Sequence, residues 1–321
     1  MKTNTSLHTG RAFSLFNSLA GSLTLVLIFI ATFSSCIKET AGGGGGTGGG
    51  GGTGGGGGTG PLAERIIMDT AFGPDPKQKM DIYLPANRST ATTKVLIMIH
   101  GGGWTGGDKA DFTVFVDTLK KRMPDYAILN INYRLASFPA NNPFPTQELD
   151  VKAAVEFIHA NRSTYLISNK FVLMGASAGG HLSLLHAYKY QTPTKIKAVI
   201  DFFGPTDMVA MYNDYAINPP LQFGIATLMS GTPATNPTMY QQTSPLTFAT
   251  TAAACPTIIL QGSTDPTVNE TTQSLALKNK LTTASVINQY VGYPGGHGNW
   301  DAATYTDAFN KIQAFLAANV Q

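Results

Sequence analysis

Cysteine is scarce in this 321-residue chain: two occur, Cys36 and Cys255, so at most one disulfide is available. Charge is sparse too. Charged residues make up 13% of the chain, 22 basic against 19 acidic, with no run of one sign. The basic patch that nucleic-acid binding needs is therefore missing, and no nucleic-acid partner is expected. The formal net charge of +3 falls to +1 when Lys2 and Arg11 are set aside. No helical repeat is present. No G-x-G-x-x-G leads into a helix, so a phosphate-cradling loop of that kind is not expected. The apolar run LTLVLIFIATF (23–33) is too short, and too near the start, for an ordinary membrane-spanning helix.

What is present begins with two segments that build no core. Residues 1–35 combine basic Lys2 and Arg11, that apolar run, and small Ser34 and Ser35 directly before Cys36. They resemble a bacterial lipoprotein signal, in which cleavage leaves Cys36 N-terminal and lipid-modified. Phe33 departs from the usual Leu of that pattern, and an uncleaved anchor helix is the alternative. Residues 42–60 are three near-perfect repeats of GGGGGT, a flexible tether whose average span is ~24 Å by coil statistics and ~65 Å at full stretch. A lipidated Cys36 and this spacer (36–60) describe a module held off a membrane of the bacterial cell envelope. Lys38 and Glu39 weakly resemble the charged signal that sends some Bacteroidetes lipoproteins to the cell surface. With Cys36 acylated, Cys255 has no disulfide partner and reads as a core residue.

The remaining residues, 61–321, suit a single α/β domain. Strand-length apolar runs recur at 65–72, 80–85, 94–100, 127–133, 171–175, 198–204, 256–262 and 285–292. The central runs are apolar throughout, as parallel strands covered on both faces should be. Amphipathic stretches at 112–123, 148–161, 181–190, 274–284 and 308–319 alternate with them, predicting a mostly parallel sheet with helices on both sides. Short loops among the first two or three strands predict antiparallel pairing there. Segment 205–255, rich in Pro, Thr, Asn, Tyr and Met, is irregular: a lid or binding wall on one reading, a surface insertion with a helix or two on the other. Its Met211, Tyr212, Tyr215 and Tyr240 suit either a substrate groove or core packing.

The strand FVLMG runs into GASAGG (175–180) and then a helix, which is G-x-S-x-G in the strand–turn–helix context that gives the motif weight. So tight a turn requires Gly175 and Gly179, and it exposes Ser177 at a helix N-terminus. A serine hydroxyl is a weak nucleophile without a base. Of six histidines, His8 lies in the signal segment, His100 precedes glycines, and His159, His181 and His186 lie on helices. His297, in YPGGHGNW (293–300), occupies a Gly-rich loop after the last strand, where an imidazole reaches the carboxyl edge of the sheet. The base needs a carboxylate to fix its tautomer. Asp265, in LQGSTDPTV (260–268), and Asp207, in FFGPTDM, both follow strands, and either could merely cap a helix. Asp265 is favoured because the order Ser, Asp, His matches the hydrolase arrangement. The glycines of HGGGW (100–104) leave bare amides at Gly102 and Gly103, with Trp104 a further candidate. Together with the amide of Ala178, these can donate to an oxyanion about 3 Å away. His100 then braces that loop.

HGGGW, NYRL (132–135), GASAGGH (175–181), the Gly262–Asp265 loop and GGH (295–297) together resemble the α/β-hydrolase superfamily, within it the hormone-sensitive-lipase-like and acetyl/feruloyl esterase-like members. The resemblance covers nearly all of residues 65–321. It implies an eight-stranded sheet, with Ser177 as nucleophile, Asp265 as acid, His297 as base, and Gly102, Gly103 and Ala178 as oxyanion donors. No cofactor or metal is implied. Ala176 departs from the Asp of many relatives, and the first strand follows Pro61 without a long N-terminal cap, implying an open site. A serine carboxylesterase acting on short-chain or polysaccharide-linked acetyl or feruloyl esters is expected. The alternatives are an arylformamidase-like amide hydrolase and a catalytically silent surface-binding lipoprotein.

Overall fold

The structure, a computed structural model, describes residues 61–321. The signal segment, Cys36 and the glycine tether lie outside the described residues. Eight strands, β1 (Arg65–Ala71), β2 (Lys79–Leu84), β3 (Lys94–Ile99), β4 (Tyr126–Ile131), β5 (Phe171–Ala176), β6 (Ala198–Phe202), β7 (Thr257–Gly262) and β8 (Asn288–Tyr293), form one sheet in the order β1-β2-β4-β3-β5-β6-β7-β8. Only β2 runs against its neighbours, pairing antiparallel with β1 and β4, and every other pairing is parallel. This is the eight-stranded α/β-hydrolase sheet.

The central strands are apolar on both faces because both faces are covered. Along β3, Val95, Ile97 and Ile99 enter one core while Leu96 and Met98 enter the other, the period-two alternation of a pleated strand. Helices α2 (Thr146–Ala160) and α4 (Ala178–Lys189) supply the first core with Val151, Val155, Leu182 and Leu185. Helices α1 (Thr113–Arg122) and α10 (Ala302–Asn319) supply the second with Val116, Leu119, Ile312 and Phe315. Cys255 is buried in the first core, and burial pushes its thiol pKa up to about 12.

Strand ends depart slightly from the sequence pattern. β8 begins at Asn288 rather than at residue 285, because Ser285, with φ of 54°, and Val286 still bond back to Thr282 and Leu281 of helix α9 (Ser274–Thr283). β6 stops at Phe202, since Phe203 has φ of 44° and the Gly204 amide turns to the Asp201 carboxylate. A short helix, α3 (Arg162–Tyr165), follows α2. Segment 205–255 is built of four short helices, α5 (Met208–Asp214), α6 (Pro219–Leu228), α7 (Pro237–Gln242) and α8 (Pro245–Phe248). Three of them start with proline, whose fixed φ and missing N–H suit the first helical turn.

Candidate active site

The loops that leave the carboxyl ends of β3, β5, β7 and β8 emerge on one rim of the sheet, and the four predicted site segments lie in them. Ser177 sits between β5 and α4 with φ of 54° and ψ of −122°, outside the ordinary regions for an L-residue. The turn is possible because its flanks are glycine. A Cβ on Gly175 would lie 2.2 Å from Gly179 C, and one on Gly179 would lie 1.9 Å from Ile99 O. The serine is only partly buried.

The imidazole of His297 hydrogen-bonds through Nδ1 to Asp265 Oδ2 at 2.7 Å. The Asp265 carboxylate is fully buried and saturated. Its Oδ1 accepts from the amides of Thr267 (2.8 Å) and Val268 (2.9 Å), and its Oδ2 also accepts from Gln261 Nε2 at 3.1 Å. Capping a turn and orienting an imidazole are thus both done by one carboxylate, a division of its two oxygens that the sequence does not show. Asp207 is elsewhere: its Oδ1 accepts from Val209 and Ala210 and caps α5. Ser177 Oγ and His297 share no hydrogen bond, and both contact the end of β6. Ser177 N donates to Phe202 O at 2.9 Å, and the ring of Phe203 lies against the His297 imidazole at 4.5 Å between centroids. Catalytic hydrogen bonds often close only when substrate binds.

The glycine loop lies against the same serine, since a Cβ on Gly101 would stand 3.5 Å from Ser177 Cβ. Gly102 has φ of 104°, a conformation that favours glycine, and its carbonyl accepts from Thr105 and Gly106. Among the described residues the amides of Gly102 and Gly103 have no partner, and Ala178, the first residue of α4, has no intrahelical acceptor for its N–H. His100 is the brace that the sequence suggests. It is buried, bonds through Nδ1 to Gly101 O at 2.8 Å, and stacks on Tyr133 at 4.3 Å and 12°. Burial pulls its pKa down, keeping the ring neutral and Nδ1–H a donor. Tyr133 Oη donates to the carbonyls of His100 and Gly101.

His159 touches Phe171 at the amino end of β5, away from the rim, and His181 and His186 are buried in α4. Tyr240, Tyr215 and Met211 are packed in the core rather than lining a groove. Two contributors escape sequence reasoning. Gln261 is one polar residue in an apolar run, yet its Nε2 supports Asp265 and its Oε1 accepts from Ser274 at 2.6 Å. Tyr133 lies within the quoted NYRL, where its phenol gives no sign of its partner.

A family model described as BD-FAE matches residues 80–281, which span the glycine loop, Ser177 and Asp265. The chain belongs to the BD-FAE family. Esterase LipC of Mycobacterium tuberculosis is similar to this BD-FAE chain, 27% identical over 244 residues that cover 71% of this chain and 58% of LipC. A bifunctional GH43-CE protein of Bacteroides eggerthii superposes with a TM-score of 0.66 at 27% identity, over 78% of this chain and 38% of that one. A truncated carbohydrate esterase from gut microbiota shares the fold with a TM-score of 0.63 at 23% identity, over 78% and 96%. The chain therefore spans little more than half of LipC and about two fifths of the GH43-CE protein.

Proposed function

We propose that this BD-FAE chain is a serine carboxylic ester hydrolase. The observation that carries the reading is the 2.7 Å Asp265–His297 bond, on the same rim as an elbow serine and unpartnered loop amides. With Nδ1–H held by the buried carboxylate, Nε2 of His297 is left as the acceptor for the Ser177 proton. Ser177 Oγ attacks the ester carbonyl, and the oxyanion takes hydrogen bonds from Gly102, Gly103 and Ala178. His297 returns the proton to the leaving alcohol, and water then cleaves the acyl-enzyme by the same route in reverse. The esterase relative LipC and the family membership support the ester bond as substrate.

The preferred acyl group is proposed to be acetyl or feruloyl on a carbohydrate. Support comes from the family resemblance and from the similarity to the GH43-CE protein. A shallow apolar groove beside the glycine loop is lined by Thr105, Phe138, Asn141, Pro143, Gly224 and Leu228. Lipidation of Cys36 and a place in the bacterial cell envelope are proposed from the sequence alone. Metabolic labelling with a palmitate analogue checks this: the full chain takes up label, and Cys36→Ala does not.

Fluorophosphonate labelling and p-nitrophenyl acetate hydrolysis test the chemistry. Both are expected in the wild type and absent in S177A, whose kcat should fall by ~10⁶. A wild type that neither labels nor hydrolyses would leave the silent-binder reading standing, and faster turnover of an aryl formamide would favour the amide reading. Release of acetate from acetylated xylan, or of ferulate from feruloylated arabinoxylan, decides the acyl group.

A further inference from the structure

We propose that His181 is a positioning residue for the oxyanion donors, acting through the indole of Trp104; this rests on the hydrolase reading above. His181 lies one turn after Ser177 on α4, and its amide donates to Ser177 O at 2.9 Å. Its ring is fully buried, as are Trp104 and Thr243. An indole N–H can only donate, so the 3.2 Å contact from Trp104 Nε1 makes His181 Nδ1 the acceptor. The proton is then on Nε2, which donates to Thr243 O at 2.7 Å. One tautomer satisfies both partners, and a doubly protonated ring would set Nδ1–H against the indole N–H. Burial lowers the His181 pKa to about 4, which keeps the ring neutral.

Trp104 needs such an anchor. It follows Gly103 directly and is a bulky residue with φ of 61°, a conformation that surrounding structure must enforce. Core packing holds the buried ring, and a small set of directional contacts fixes its orientation. The Trp104 carbonyl accepts from Ala136 N at 2.9 Å, the ring meets Phe144 and His181 edge-on at 6.2 and 5.2 Å, and the indole N–H ends on His181. The same imidazole joins the nucleophile's helix, the glycine loop and the α7–α8 junction, where Thr243 lies. An oxyanion donor contributes fully only when already aimed, so a loose Trp104 would misaim Gly102 and Gly103.

The test uses the full chain and four variants. H181F keeps an aromatic ring and removes both hydrogen bonds, and W104F removes only the indole donor. H181N places its amide oxygen near the Nδ1 position and restores an acceptor for Trp104, whereas H181Q restores only the donor toward Thr243. With p-nitrophenyl acetate, H181F, W104F and H181Q should lose roughly 10- to 100-fold in kcat with KM within about 3-fold, below the loss of an outright missing donor. H181N should recover most of the rate, and the H181F/W104F double variant should be no slower than either single. The amide resonances of Gly102 and Gly103 should shift in H181F, and the ¹⁵N shift of His181 Nδ1 should report an unprotonated nitrogen. Wild-type kcat in folded H181F, multiplying losses in the double variant, or unmoved Gly102 and Gly103 resonances would overturn the proposal. If H181F does not fold, H181Q against H181N decides it. If the wild type hydrolyses no ester, the hydrolase reading fails by itself, while the NMR arm still tests the anchoring.

Discussion

Two aspartates with near-identical local roles separate at the residue scale. Asp207 and Asp265 both accept backbone amides just after a strand, but only Asp265 has its second oxygen on an imidazole. D265N should leave the fold intact and lower kcat by ~10⁴, because the imidazole loses the partner that fixes its tautomer. D207A should keep kcat and lose about 1 kcal/mol of stability as a missing helix cap. Steady-state kinetics and urea unfolding on both variants check the pair, and a large kcat loss in D207A would reverse the assignment. Gly102 gives a third expectation. A Cβ there would lie 2.1 Å from Gly106 O at φ of 104°, so G102A must bend the loop and should cost 10²- to 10³-fold in kcat, about the effect of one lost donor.

At the scale of elements, segment 205–255 and the loop after β4 face each other across the apolar groove. Phe138 from the loop and Phe223 from α6 stack at 6.1 Å and 13°, yet remain 49% and 65% exposed. If the proposed acyl group is aromatic, these exposed rings are its nearest flat apolar surface beside the groove. F138A/F223A should raise KM several-fold for a feruloyl ester and leave both KM and kcat for p-nitrophenyl acetate unchanged, since about 1 kcal/mol of aromatic contact is a factor of ~5. Equal effects on acyl groups of all sizes would remove this wall from substrate binding. The eight strands were legible because each is an apolar run bounded by turn residues, and Ser177 because its motif lies between a strand and a helix. The helices of 205–255 were legible only as an insertion with a helix or two, since three of the four run seven residues or fewer, too short to show a 3.6-residue period, and proline, which usually signals a break, opens three of them. Gln261 and His181 were invisible for a related reason: their partners lie in other elements, 13 and 62 residues away in the cases of Ser274 and Thr243.

For the whole molecule, three buried histidines are held neutral. Burial lowers the pKa of His100, of His181 to about 4, and of His186 to about 3, against about 6.5 in the unfolded chain. Below pH 6.5 the unfolded state binds protons that the folded state refuses, so this contribution is complete above that pH and is lost as pH falls toward 4. Asp201 has the opposite sign. Its carboxyl is buried with Oδ2 unpartnered and its pKa pushed well up, so above the unfolded carboxylate pKa it subtracts stability as pH rises. H186L should retain fluorophosphonate labelling and flatten the loss of stability between pH 6.5 and 4, and urea unfolding across pH 4–8 reads the difference. A wild-type curve parallel to that of H186L would show that His186 is not held neutral. The burial of Cys255 has a practical corollary for optical work. Its sulfur, inaccessible and with a pKa of about 12, will not meet a maleimide dye at neutral pH. A cysteine introduced at Ile217, 95% exposed between α5 and α6, would then be the single reactive thiol among the described residues. One fluorophore there would test whether segment 205–255 moves during turnover.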